Sequence, residues 1–131
     1  MYDTPAWASL ESHKAAVASK EAMVQLMKDF SPIRVDGVYV HDITFNNEPY
    51  PALNAPTTEI AVWTLKEDTD RSIFQEKLDA FIQIVKGLDA SKGVRPGGWG
   101  PVAQNDRQFC VMLGWDSLEV RVTLGLHRWI H

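Results

Sequence analysis

The sequence predicts an α+β domain, and three observations predict it. Apolar residues recur at helical spacing in two stretches, 9–30 and 70–88. Residues 38–45, 58–65 and 108–115 are rich in β-branched and aromatic side chains of the kind strands favour. An eight-residue phrase also occurs near both ends, where Ala6-Trp7-Ala8-Ser9-Leu10-Glu11-Ser12-His13 returns as Gly114-Trp115-Asp116-Ser117-Leu118-Glu119-Val120-Arg121. Each copy places a Trp two residues before a Ser suited to an N-cap, and a Glu two residues after that Ser puts negative charge in the first helical turn. The copies lie 108 residues apart, from Trp7 to Trp115, about the size of one small domain. The chain therefore reads as out of phase, beginning late in one structural unit and stopping late in the next.

The elements follow in order. Leu10, His13, Val17, Val24 and Met27 give an amphipathic helix over 9–30, and Ser19-Lys20-Glu21 repeats the cap-then-acid pattern where a second helix could begin. Pro32 ends it, and Gly37 opens a strand over 38–45 with Tyr39, His41, Ile43 and Phe45 on one face. Residues 46–56 carry three prolines and no periodicity, which marks a linker or covering loop. A strand over 58–65 contains Trp63. Asp68-Thr69-Asp70 then caps a helix to Leu88 with Phe74, Leu78, Phe81, Val85 and Leu88 on one stripe. Residues 93–102 form an irregular glycine-rich strand, turned by Asn105-Asp106 into a strand over 108–115 whose Phe109, Val111, Leu113 and Trp115 share a face. The last fifteen residues fit both a strand, by the alternation of Val120, Val122, Leu124 and Leu126, and a helix, by the stripe Leu118, Val122, Leu126 and Trp129; the repeated phrase favours a helix from Ser117.

Composition bounds the function. With 131 residues, 45% of them hydrophobic, the chain has material for one core and predicts a single domain, 1–131: a closing helix and strand over 1–47, the Pro-rich loop 48–56, and a β-α-β-β-α unit over 57–131. Seventeen acidic residues against 13 basic ones, a formal charge of −4, argue against sequence-independent binding to nucleic acid or anionic lipid. Cys110 is the only cysteine, so no intramolecular disulfide forms, and Met1-Tyr2-Asp3-Thr4-Pro5 lacks the basic start and apolar run of a signal peptide. The expected location is cytoplasmic, and no apolar run is long enough to span a bilayer.

The element order, with the Trp-x-Ser-Leu-Glu phrase following a strand, resembles the dimeric α+β barrel superfamily, in particular the antibiotic-biosynthesis-monooxygenase-like and stress-responsive A/B-barrel proteins of fungi and plants. The resemblance implies a ferredoxin-like antiparallel sheet with helices on one face. The element order would be permuted (α-β-β-α-β-β-α), with the strand over 38–45 completing the sheet and two copies pairing into a homodimeric barrel. It also implies a small apolar or phenolic ligand, or a cofactor-independent monooxygenase or cyclase chemistry, in a space between sheet and helices. A third reading is an interaction module that works through its dimer surface.

Among individual residues, His41 is the candidate general base, an imidazole of near-neutral pKa on an apolar strand face, with Tyr39 as orienting donor. Core packing is the plainer account of both. His13, one turn after Leu10, and the strand tryptophans Trp63, Trp99 and Trp115 are candidate ligand-binding residues, the indoles as walls of an aromatic cavity. No cofactor or metal is expected: His127 and His131 are an i, i+4 pair without a third ligand nearby, and Cys110 has no Cys-x-x-Cys partner. Pro96-Gly97-Gly98-Trp99-Gly100-Pro101 lacks the Gly-Lys-Ser/Thr and the helix start of a phosphate loop, so its glycines instead permit a close approach of backbone or ligand, with Trp99 over a cavity mouth. The mixed charges of Arg71, Gln75, Glu76, Lys77, Asp79 and Lys86 mark the solvated face of their helix.

Overall fold

The computed structural model describes residues 6–33, 39–88 and 90–124. The chain divides into two units, Met1–Val40 and His41–His131.

The first unit contains α1 (Leu10–Val17) and α2 (Lys20–Phe30), with a 3₁₀ turn at Ser31–Ile33 that takes in Pro32. Ser9 caps α1 reciprocally: its hydroxyl accepts from the Ser12 amide at 3.1 Å, and the Ser12 hydroxyl accepts from the Ser9 amide at 3.0 Å. The helical stretch breaks at Ala18, and Ser19 starts α2 by accepting from the Ala22 amide at 3.4 Å. No residue of either helix is buried.

The second unit holds α3 (Tyr50–Leu53), β1 (Thr57–Thr64), α4 (Arg71–Gly87), β2 (Val94–Val102), β3 (Asn105–Trp115) and α5 (Leu118–Leu124). Among the described residues the sheet has three strands in the order β1-β3-β2, with β3 antiparallel to both neighbours. β1 and β2 are thus parallel to each other and joined through α4. This α+β arrangement is compatible with a ferredoxin-like fold.

Periodicity explains the core. Asp70 caps α4 by accepting from the Ser72 amide at 2.8 Å and the Ile73 amide at 3.5 Å, and the Ser72 hydroxyl at 2.7 Å, followed by these two amides, lowers its carboxyl pKa from the ordinary value. Leu78, Ile82 and Val85, on one stripe of α4, are buried. They join Phe109, Val111, Leu113 and Trp115, which alternate along β3 onto one sheet face, and Trp99 and Val94 of β2 in a single cluster.

The opposite face of the sheet carries Cys110, Met112 and Gly114 on β3, with Gly100 and Gly98 on β2 as the register partners of Cys110 and Met112. Residues 43–55 lie across it. A Cβ at Gly100 would run into the Thr44 carbonyl oxygen, and one at Gly114 would stand 2.6 Å from the Ala55 Cβ and 2.8 Å from the Ala52 Cα. Glycine at these two positions is what lets residues 43–55 press onto the sheet, and Ala52 of α3 is fully buried there.

Two expectations are corrected and one alternative is decided. The strand expected over 38–45 is not formed in its described part, 39–45, where Ile43 makes an isolated bridge to Val102. Asp42, Ile43 and Asn46 meet the outer edge of β2 and its turn, and that edge cannot support a ladder: Pro101 brings no N–H, and β2 is irregular between Pro96 and Gly98 and between Pro101 and Val102. Isolated bonds to the β2–β3 turn take the backbone instead. The Asp42 carbonyl accepts from the Ala103 amide at 2.9 Å, and the Gln104 side-chain oxygen accepts from the Asp42 amide at 2.9 Å. The hairpin turn is Ala103-Gln104 rather than Asn105-Asp106, because Asn105 already pairs with Val102 and uses its side chain to accept from the Arg107 amide at 2.9 Å. At the C-terminal end the helix prevails over the strand through Leu124, with the Ser117 hydroxyl accepting from the Val120 amide at 3.2 Å; Trp129, His127 and His131 lie outside the described residues. Among the described residues no helix is long and apolar enough to cross a membrane.

Two glycines should respond oppositely to alanine. Gly100→Ala forces backbone apart and is expected to cost about 1–3 kcal/mol, whereas Gly87→Ala, at the end of α4 with nothing within 4 Å of its Cβ, should gain about 0.5–1 kcal/mol. Thermal unfolding of the two variants checks the pair, and equal melting temperatures would contradict it.

Candidate functional site

The candidate site grows from three indoles on one side of the sheet. In β1, Thr57, Glu59, Ala61 and Trp63 register with Trp115, Leu113, Val111 and Phe109 of β3, so all of them share the face covered by α4. Trp99 of β2, paired with Val111, joins that face. A buried indole brings one N–H donor that needs an acceptor.

Trp115 and Trp99 are answered by carboxylates. Trp115 is 1% exposed, and its Nε1 donates to Glu59 Oε2 at 3.1 Å. The same carboxylate takes Arg121 of α5 in a two-point ion pair, Nε at 2.9 Å and an Nη at 3.0 Å, which raises the guanidinium pKa above its ordinary value. Trp99 is 8% exposed and donates its Nε1 to Asp79 Oδ1 on α4 at 2.8 Å. Asn46 binds the same oxygen at 3.1 Å through its side-chain amide, exchanges a reciprocal pair of bonds with the Trp99 backbone, and so ties the covering segment to helix and strand together. Trp99 is therefore packed in the core.

Trp63 differs. Its Nε1 is buried and has no hydrogen-bond partner, although the ring is half-buried and packs on the core cluster. Two residues along the facing strand from its register partner Phe109 stands Arg107, whose Nη1 donates to the Thr69 carbonyl at 3.2 Å and whose Nη2 is likewise buried and unpartnered. Phe74 of α4 meets Phe109 with ring centroids 5.3 Å apart, and the Arg71 guanidinium lies 5.0 Å from the Phe109 ring centroid. This end of the sheet thus combines aromatic surface with two orphaned donors.

The remaining candidates lie elsewhere. His41 is exposed, at the start of the second unit. Tyr39 belongs to the first unit and is 88% exposed. His13 is also in the first unit, stacked on Trp7 at 4.7 Å with the rings 23° apart. Among the described residues no group of three or more His, Cys, Asp or Glu could hold a metal ion. Cys110 faces the covered side of the sheet, and burial pushes its thiol up to about 11. Arg107, which sequence reasoning missed, was readable: it keeps the period-2 phase of Phe109, Val111, Leu113 and Trp115, so a strand places its charge on the core side. No protein-family model, no curated protein and no solved structure matches the chain.

Asp79→Ala leaves the Trp99 N–H without its acceptor and should cost about 1–3 kcal/mol, reduced by the better helix propensity of alanine. In a Trp99→Phe background, where the donor is gone, the same change should cost less, and a double-mutant cycle from denaturant melts measures the difference. Cys110 should be unreactive to thiol reagents in the folded protein and react at the rate of unfolding. Because its pKa is raised on folding, its contribution to stability is present below the unfolded-chain value and is lost as pH rises toward about 11. Rapid native-state labelling at pH 8 would contradict the burial.

Proposed function

We propose that the chain is a non-catalytic α+β domain that binds a small planar aromatic ligand at the Trp63 end of its sheet. One observation carries the reading: of the three indoles on the α4 side, Trp99 and Trp115 donate to carboxylates, and Trp63 keeps a buried N–H with no partner. A donor left unsatisfied inside a protein costs about 1–3 kcal/mol, and a ligand acceptor placed against it recovers that cost on binding. The partly buried Phe74 supplies ring surface on the same cluster, so the same ligand stacks while it accepts.

The resemblance to the dimeric α+β barrel proteins fits this reading, with a stress-associated role and a homodimer as its further parts. Among the described residues β1 is an edge strand, it has no proline and no lysine, and Val62 on its other face is 43% exposed, features that suit pairing with a second copy. His41 does not enter the proposal, because a general base needs a walled site that brings the substrate proton to it.

Trp63→Phe separates the ligand-binding account from plain core packing. Removing the orphaned N–H at nearly constant shape should leave the melting temperature equal or slightly raised, since no bond is lost. Quenching of intrinsic fluorescence by a panel of one-ring aromatic compounds should saturate in the native protein and weaken at least several-fold in the variant. Saturable binding that is unchanged in Trp63→Phe, or no binding by any compound, would defeat the reading.

A further inference from the structure

We infer that the ligand taken at this site is an acid: a small aromatic carboxylate held between the Trp63 Nε1–H and the Arg107 Nη2–H. The inference rests on the aromatic-ligand reading above and adds the ligand's charge. Arg107 is half-buried on the core-facing side of β3, and among the described residues no carboxylate pairs with it. A guanidinium withdrawn from water without a counter-charge is costly, and a bound anion removes that cost. Its Nη1 is already engaged by the Thr69 carbonyl and its backbone amide by Asn105, which leaves Nη2 as the buried donor still open.

The register makes one ligand sufficient for both donors. Trp63 pairs with Phe109, so Arg107 is its diagonal neighbour on the same face, at a Cα spacing of about 7–8 Å that long side chains bridge. A carboxylate presents acceptors to both while its ring lies against the partly buried Phe74. A neutral amide of the same shape satisfies the indole but leaves the guanidinium uncompensated, and a free inorganic anion satisfies the charge but covers no ring. Two hydrogen bonds, one of them charge-assisted, together with ring contact define the class.

Benzoate and benzamide are the probes, titrated into the full chain by calorimetry and by thermal shift. Benzoate should bind saturably and raise the melting temperature, with benzamide at least about tenfold weaker, in keeping with a charge-assisted bond. Arg107→Gln should bring benzoate down to the benzamide level, and Arg107→Lys should retain part of the preference. Equal binding of benzoate and benzamide overturns the acid inference and leaves the aromatic-ligand reading standing; failure of both to bind overturns both. A crystal structure at saturating benzoate that shows only an ordered water between Nε1 and Nη2 also overturns it. Should Arg107→Gln fail to fold, the comparison of the two probes on the unaltered protein still decides.

Discussion

A buried indole must find an acceptor for its N–H, and much of the second unit is arranged around meeting that requirement. Trp115 takes its acceptor from Glu59 on β1, and because the same carboxylate holds Arg121, the bond fixes α5 to the sheet immediately after the strand ends. Trp99 takes its acceptor from Asp79, and Asn46 converges on the same oxygen, so one indole joins β2, α4 and the covering segment. Hydrogen bonds to a carboxylate contribute about 1.5–3 kcal/mol, and breaking one also leaves a buried donor unsatisfied. The ties therefore act chiefly by excluding other arrangements: any slip of β2 or α4 would orphan a donor.

The two sheet faces solve different packing problems. Beneath α4 the sheet is aromatic and branched, and the helix supplies a stripe of Leu78, Ile82 and Val85 that fills the space between. On the other side Gly98, Gly100 and Gly114 lower the surface beside Cys110 and Met112, and the cover is irregular chain and a single turn of helix rather than a full helix. A thin cover needs a flat face, and glycine provides it. The Pro-rich composition of 46–56 suits the same end, since prolines stiffen a segment that has few backbone partners of its own.

Much of this was legible in the sequence, for reasons that differ by element. α4 and β3 were readable because one amphipathic period runs through each, and tertiary packing had only to agree with it. Both copies of the repeated phrase were readable because Ser9 and Ser117 act within three residues of themselves. The copies nevertheless have different surroundings: Trp7 is 45% exposed and stacks on His13, while Trp115 is buried and shares Glu59 with Arg121. In each the Trp is served together with the side chain six residues on, a relation that the phrase encodes without fixing its chemistry. Residues 38–45 misled because strand propensity states what a segment suits and not whether a partner edge is available; Pro101 and the irregular β2 withheld that edge. Asp79 and Glu59, the acceptors that organise the indoles, sit 20 and 56 residues from their donors and carry no local mark.

The site itself was half legible. Trp63 was marked as a wall of an aromatic cavity, but its distinction from Trp99 and Trp115 lies in what it lacks, and an unpartnered donor is a property of three dimensions. Residues of the same type on the same face are told apart by the accounting of their polar atoms. Two indoles are satisfied by the fold and one is not, and the guanidinium diagonal to it carries a second open donor. Buried polar groups are nearly always paired in folded proteins, so two exceptions diagonal to each other on one sheet face, among the described residues, are what the proposed ligand would satisfy.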